Sequence, residues 1–425
     1  MVQRLALIKT TSFQVLERYG RQSLIIIACL LAAKIIGLFA QARAAVYLGP
    51  ANYGVSGVVY GLAPFIVLLT NLRMDIVLVR EFDDYRTSGK LGEIISSIFS
   101  FRLFAFLLVA ALTAFGLFLA NEPALLLCWL MAILFFASQV LKPYWLLQAA
   151  RKLHVHYLGM LIQTTVTAGC IFIFFRPGQF LGSDLIAYSI GGGTALLITW
   201  YLCQKGMPPI RFGKDDFEEV KAITFNARWI IVTALFSVSY TSIELPLLLT
   251  LASAEETGTY RTAVNLSENL YSFLAFTNFL LYPHLIEWQR KGRAHLWNMQ
   301  KRIAIIYGSG GLLIFLAVAF AAPFIYSWLF SGVYYEAVDQ LKILVLAKVF
   351  MLLAGIYSWG LMARRADKLL LIVLAPLSLS AILASFLLVP TYGATASAGI
   401  ALSFAFLFFI CTLTLEFSCR NQPDQ

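Results

Sequence analysis

The sequence predicts an all-α integral membrane protein of about twelve transmembrane helices in two six-helix lobes. Three observations lead there. Charged residues make up 13% of the chain and hydrophobic residues 60%, too little charge to cover a soluble surface, where roughly a quarter of residues are charged. The apolar residues come in runs of about twenty, which at ~1.5 Å per residue cross ~30 Å of hydrocarbon. The basic residues alternate from one connection to the next, as they do when successive loops lie on opposite sides of a bilayer.

The apolar runs are 23–48, 55–79, 98–120, 123–148, 157–175, 183–203, 223–250, 258–286, 303–325, 341–362, 369–389 and 394–416. Only Pro390-Thr391-Tyr392-Gly393 separates the last two, which predicts a tight turn. Runs longer than a span imply tilt or bending. The segment before the first run carries Arg4, Lys9, Glu17 and Arg18, and predicts a short interfacial helix, not a cleavable signal.

With the N-terminus placed inside, the inside connections hold 22 of the 32 Lys and Arg residues and the outside loops hold only Arg176. Both termini are therefore expected on the cytoplasmic side. The outside loops are short, and two are acidic (Glu255-Glu256 and Glu336 to Asp339). The net charge of +10 reflects inside loops, so no nucleic acid is expected as partner. The expected organisation is a cytoplasmic segment 1–22, a first lobe 23–203, a linker 204–222, a second lobe 223–416 and a tail 417–425. Six helices per lobe give both lobes the same orientation, a parallel repeat about an axis along the membrane normal. Gly54 and Gly258 occupy matching places in it: each follows the first helix of its lobe, 27 and 29 residues before an acidic residue, Glu81 and Glu287.

The motifs of several chemistries are missing. No GxxxxGK[ST] loop or HExxH occurs, and the six cysteines form no CxxC pair. No catalytic residue, cofactor or metal is expected. His154 and His156 read as an interfacial loop, and Asp83-Asp84, among Arg80, Arg86 and Lys90, as a solvated charge cluster.

Charges at membrane depth are costly and mark candidate sites. Lys34 lies eleven residues into its helix, too deep to snorkel, and Gln41, seven positions on, shares its face. Arg43 is half a turn away and nearer the outer end. Arg261, Asn265, Glu268 and Ser272, spaced four, three and four, form one polar stripe that must face protein or water. Glu244 precedes Pro246 in the seventh helix, Lys348 lies about 10 Å inside the tenth, and Asp75 sits toward the inner end of the second. Lys34, Arg43, Arg261 and Lys348, with Gln41 and Asn265, would line a mostly cationic central cavity suited to a phosphate or diphosphate. Glu268, Glu244 and Asp75 are the candidates for coupling to a proton or sodium ion.

Several segments then resemble the polysaccharide-synthesis branch of the MOP superfamily, which includes Wzx-type O-antigen flippases. Gly49-Pro50-Ala51-Asn52-Tyr53-Gly54 with Met74-Asp75 through Arg80-Glu81 resembles the family's first hairpin. Lys142-Pro143-Tyr144-Trp145 through Arg151-Lys152 is similar to its fourth-to-fifth loop. Thr257-Gly258-Thr259-Tyr260-Arg261 with Leu281-Tyr282-Pro283 is similar to its eighth helix. Phe330-Ser331-Gly332 and Pro390-Thr391-Tyr392-Gly393-Ala394 are similar to later loops. The family often has Asp followed by Arg or Lys in helix seven, where this chain has Glu244-Leu245-Pro246.

The resemblance implies a MATE-like fold. It also implies translocation of undecaprenyl-diphosphate-linked oligosaccharide units of O-antigen, capsule or exopolysaccharide across a bacterial inner membrane, alongside other polysaccharide-assembly proteins. A multidrug extruder of the same superfamily is the first alternative and would favour acidic and aromatic cavity groups. An integral-membrane glycan polymerase or transferase is the second and would need a large outside loop, which the sequence lacks.

Overall fold

The computed structural model describes residues 2–150, 152–204, 217–364 and 366–420. Side chains are described from residue 25 on, apart from 80, 204, 217–219, 226, 273–284, 286, 367, 419 and 420. Most of the linker 204–222 and residues 421–425 of the tail lie outside the described residues. Helices account for nearly all of the rest. In order they are α1 (Val2–Gly61), α2 (Ala63–Asn71), α3 (Met74–Thr87), α4 (Leu91–Leu119), α5 (Pro123–Leu141), α6 (Tyr144–Ala149) and α7 (Leu153–Phe174). There follow α8 (Ser183–Gln204), α9 (Phe217–Asn226), α10 (Arg228–Leu251), α11 (Ala254–Arg290), α12 (Arg293–Leu329), α13 (Ala337–Ala363) and α14 (Asp367–Arg420).

Among the described residues, nine stretches are long and apolar enough to cross a membrane. Two of these, Ile25–Asn71 and Lys368–Ser418, are each long enough for two crossings. Each breaks at a glycine: Gly49 (φ 74°) in α1 and Gly393 (φ 54°) in α14. Both breaks need the left-handed backbone that glycine adopts freely, and Pro50 then opens the next helical segment, where its missing N–H is harmless. The polar stripe keeps α11 outside those nine. Splitting the two long stretches and adding α11 gives the twelve crossings expected.

Three runs depart from single straight helices. The second, 55–79, is broken twice. Pro64 opens α2, and Leu72 and Arg73 (φ 45° and 51°) interrupt the helix before α3. The fourth ends at Lys142-Pro143, where proline cannot continue the backbone ladder, and restarts as the six-residue α6. The seventh is split between α9 and α10 at Ala227, whereas Pro246 is carried inside α10 without interrupting it. Residues 2–22 are continuous with the first span and do not form a separate short helix.

The turns away from the two termini gather at one end of the bundle, here the far end. Gly178 and Gln179 each donate a backbone N–H to the Tyr47 carbonyl (3.1 Å). Tyr334 donates its hydroxyl to the Ala45 carbonyl (2.7 Å), and Glu256 accepts from the Ala394 N–H (2.9 Å). Helices α1, α2, α4, α5, α7 and α8 pack together as one lobe, and α10 to α14 as the other. The chain is thus an all-α, multi-pass membrane protein. α9 packs on α3 and α4 of the first lobe, burying Val220 and Ile223 beside Met74, Phe82 and Ile94.

The lobes meet where α1 crosses α11, and the two glycines matched by the repeat touch there. A Cβ on Gly54 would strike the Ala254 carbonyl oxygen and lie 2.8 Å from the Gly258 nitrogen. A Cβ on Gly258 would strike the Pro50 carbonyl oxygen and lie 3.0 Å from the Gly54 nitrogen. Each glycine therefore faces the carbonyl four residues before the other. That reciprocity is what a two-fold pseudo-axis between them produces, and only residues without a side chain allow backbones so close.

Candidate functional site: the interface between the lobes

The stripe on α11 forms the second lobe's wall of this interface. At its far end Arg261 is 1% exposed and points into the first lobe. Its guanidinium donates to the Tyr53 carbonyl (2.6 Å) and the Ser56 hydroxyl (2.8 Å) of α1, and pairs with Asp184 of α8 (3.2 Å). It lies 3.8 Å over the Tyr53 ring, and a Cβ at Gly57 would strike its side chain, so glycine leaves the room it occupies. One turn on, Asn265 donates to the Tyr53 hydroxyl (3.0 Å), and beyond it Asn269 donates to Gln41 Oε1 on α1 (3.2 Å).

Exposure rises along the stripe. Asn265 is half-buried, and the Glu268 side chain is 57% exposed although it lies midway along α11. Glu268 pairs with Lys348 of α13 at 3.4 Å, and Lys348 also lies 5.7 Å from the centre of the Tyr271 ring. Lys34 is half-buried on α1, within electrostatic reach of Glu268. Glu244 on α10 accepts from the Tyr260 hydroxyl and lies within reach of Lys348 and Glu268. A carboxylate exposed at this depth requires water beside it. The interface is therefore sealed at the far end by Arg261, while toward the middle of the membrane Glu268 is exposed, paired with Lys348 and within electrostatic reach of Lys34 and Glu244.

The expected site residues thus fall into three groups. Lys34, Lys348, Glu268 and Glu244 come together, with Gln41 and Asn265 on the adjoining wall. Arg43 turns away from the Gln41 face, as a residue two positions further round a helix must. Its guanidinium lies 4.6 Å from the Tyr47 ring and 5.2 Å from the Phe172 ring of α7, inside the first lobe. Asp75 also lies apart, with Asn71 (3.4 Å), which in turn accepts from Arg102. Arg261 belongs to the interface but is spent on protein partners.

Two charged groups were missed by sequence reasoning. Asp184 occupies the first turn of α8, where a run boundary hides it among loop residues, and no local signal pairs it with a residue 77 positions away. Glu416, fully buried near the end of α14, pairs with Arg364 (3.0 Å), and Arg364 also donates to Gln289 of α11 (3.1 Å). That pair ties α11, α13 and α14 together at the end opposite the glycine crossing. No cluster of metal-ligating side chains occurs among the described residues.

The comparisons with known proteins agree with this architecture. The lipid II flippase MurJ, in an inward closed conformation, superposes with a TM-score of 0.74 at 17% identity, over 94% of this chain and 88% of that one. An inward-facing multidrug resistance MATE family transporter of the MOP superfamily gives 0.64 at 11% identity, over 91% and 94%. A substituted form of the Vibrio cholerae MATE transporter VcmN gives 0.60 at 13%, over 96% and 98%. No curated protein matches the sequence. The family described as "Polysaccharide biosynthesis protein" matches residues 19–289, well over half the chain. The chain therefore belongs to the polysaccharide biosynthesis protein family, and its fold is like that of the MOP-superfamily transporters.

Proposed function

We propose that this protein flips undecaprenyl-diphosphate-linked oligosaccharide units from the cytoplasmic to the outer leaflet of a bacterial inner membrane. The observation that carries the reading is the pair of lysines, Lys34 and Lys348, at membrane depth beside the exposed Glu268, with Arg261 buried between the lobes at the far end. In this reading the far end is the outer side and the termini are cytoplasmic, as the distribution of basic residues requires. A diphosphate entering from the cytoplasmic side meets two ammonium donors, while the lipid tail stays in the bilayer. Lys348 exchanges Glu268 for the phosphate oxygens. Glu268, left without its cation, is then placed to take up a proton or sodium ion, with Glu244 beside it. Rocking of the lobes, which parts α1 from α11 at the far end, delivers the head group outward.

The exposed Glu268 beside Tyr271 favours a second reading, extrusion of a cationic drug. Purified protein in proteoliposomes separates them. The flippase reading expects translocation of a fluorescent polyprenyl-diphosphate sugar that fails when Lys34 and Lys348 are both changed to Ala. Transport of a lipophilic cation with no movement of the diphosphate lipid would give the site to the extruder.

A further inference from the structure

We infer that Arg261 and Asp184 form the latch that holds the far side of the transporter shut, and that Arg261 is a positioning residue of the transport cycle, not a ligand for cargo. The inference rests on the alternating-access reading but not on the identity of the cargo.

The geometry separates a latch from ordinary packing in four ways. Every polar partner of the Arg261 guanidinium is in the opposite lobe: Tyr53 and Ser56 on α1 and Asp184 on α8. Both charges are sealed, at 1% and 0% exposure, so no cargo reaches the guanidinium while the lobes are together. Ser56 donates to the same Asp184 oxygen (3.0 Å) while accepting from Arg261, so one small hydroxyl joins both ends of the pair. The contact also lies just beyond the Gly54–Gly258 crossing, where the backbones are closest and a small rotation separates the lobes. Any tilt that opens the far side must pull Arg261 off all three partners together.

The pair is also incompletely satisfied. Arg261 Nε and Asp184 Oδ1 have no hydrogen-bond partner. Burial without full pairing keeps such a contact from becoming a permanent weld. Once the lobes part, water reaches both charges and hydrates them, so the latch can open and re-form in each cycle. The charges at mid-depth have a different arrangement. Lys348 and Glu268 lie on two helices of the same lobe and remain partly exposed, so they do not hold the lobes together.

The test is a distance measurement between spin labels on the purified full-length protein in lipid nanodiscs, without cargo. One pair, Glu122→Cys and Tyr335→Cys, sits on exposed far-end turns of the two lobes. A second, Ser88→Cys and Arg290→Cys, sits on exposed residues at the near end. The parent protein is expected mostly in the short far-end distance. Asp184→Asn, Ser56→Ala and Arg261→Ala are each expected to raise the long far-end population relative to the short one, by about tenfold for the charge variants. The near-end distance should shorten at the same time, because rocking closes one end as it opens the other. Combining Arg261→Asp with Asp184→Arg should restore the short far-end distance. Ser56→Ala removes a single hydroxyl and guards against loss of fold. Unchanged far-end populations in Asp184→Asn and Ser56→Ala would overturn the latch. So would far-end lengthening with no near-end shortening, which is the signature of a merely structural pair.

Discussion

Replacing Gly258 with Ala tests the crossing on which the account turns. The added Cβ would lie 2.7 Å from the Pro50 carbonyl carbon and 3.0 Å from the Gly54 nitrogen, and would strike the Pro50 carbonyl oxygen. All three are backbone atoms in helices, so no side chain can move aside. The lobes must separate there by about 1 Å, and overpacking of this kind costs about 1–3 kcal/mol. The strain is released only by parting α1 from α11, so it falls on the far-closed state alone. At 1.4 kcal/mol per tenfold, the closed population should drop about 5- to 150-fold relative to the open one. Gly54→Ala should act alike, since its Cβ meets the Ala254 carbonyl from the other side. The double substitution should fall well short of the sum, because the first Ala makes the room that the second needs. Spin-label distances between positions 122 and 335 report the populations directly. A short distance retained in both single variants would refute the reciprocal contact, and full additivity would refute the shared origin of the strain.

Three further outcomes follow from other contacts. Arg364→Leu leaves the Glu416 carboxylate buried without its cation, and should destabilise the protein by about 3–5 kcal/mol, whereas adding Glu416→Leu should recover most of the loss. Thermal unfolding in detergent checks this, and equal losses in the single and double variants would contradict it. Gly393→Ala places a side chain at φ 54°, ψ −138° and drives its Cβ into the Glu256 carboxylate. A loss of about 1–3 kcal/mol is expected, and an unchanged melting temperature would show that the turn tolerates a side chain. Lys348→Met removes a partly exposed ion pair worth about 0–1 kcal/mol. Stability should hold while flipping falls, and a protein that melts early would make Lys348 a structural residue.

Much of the architecture is legible in the sequence because hydropathy and loop charge are local properties. Runs of apolar residues give the crossings, and the matched positions of Gly54 and Gly258 give the repeat. The stripe from Arg261 to Ser272 follows from spacing alone. What sequence reasoning misses is whatever depends on which residues meet across the fold. Arg261 has the spacing of a cavity cation, but its partners lie 77 to 208 positions away. The break at Leu72-Arg73 carries neither glycine nor proline, so no local propensity announces it. Arg364 reads as a loop charge because its run ends there, yet it is buried against Gln289 near the end of α11 and Glu416 of α14. Arg43 shows the reverse case: helical periodicity alone sets it half a turn from Lys34, and it stacks on Phe172 away from that face.

The most direct test of the central claim is the sidedness of lipid-linked oligosaccharides in host cells lacking the gene and complemented with either the parent protein or the Lys34→Ala, Lys348→Ala variant. Complete units should accumulate on the cytoplasmic leaflet in the deletion strain and in cells carrying the variant, and the parent protein should clear them and restore surface glycan. Complete units already on the outer leaflet of the deletion strain, or truncated units in either leaflet, would contradict the flippase account and assign the protein to another step.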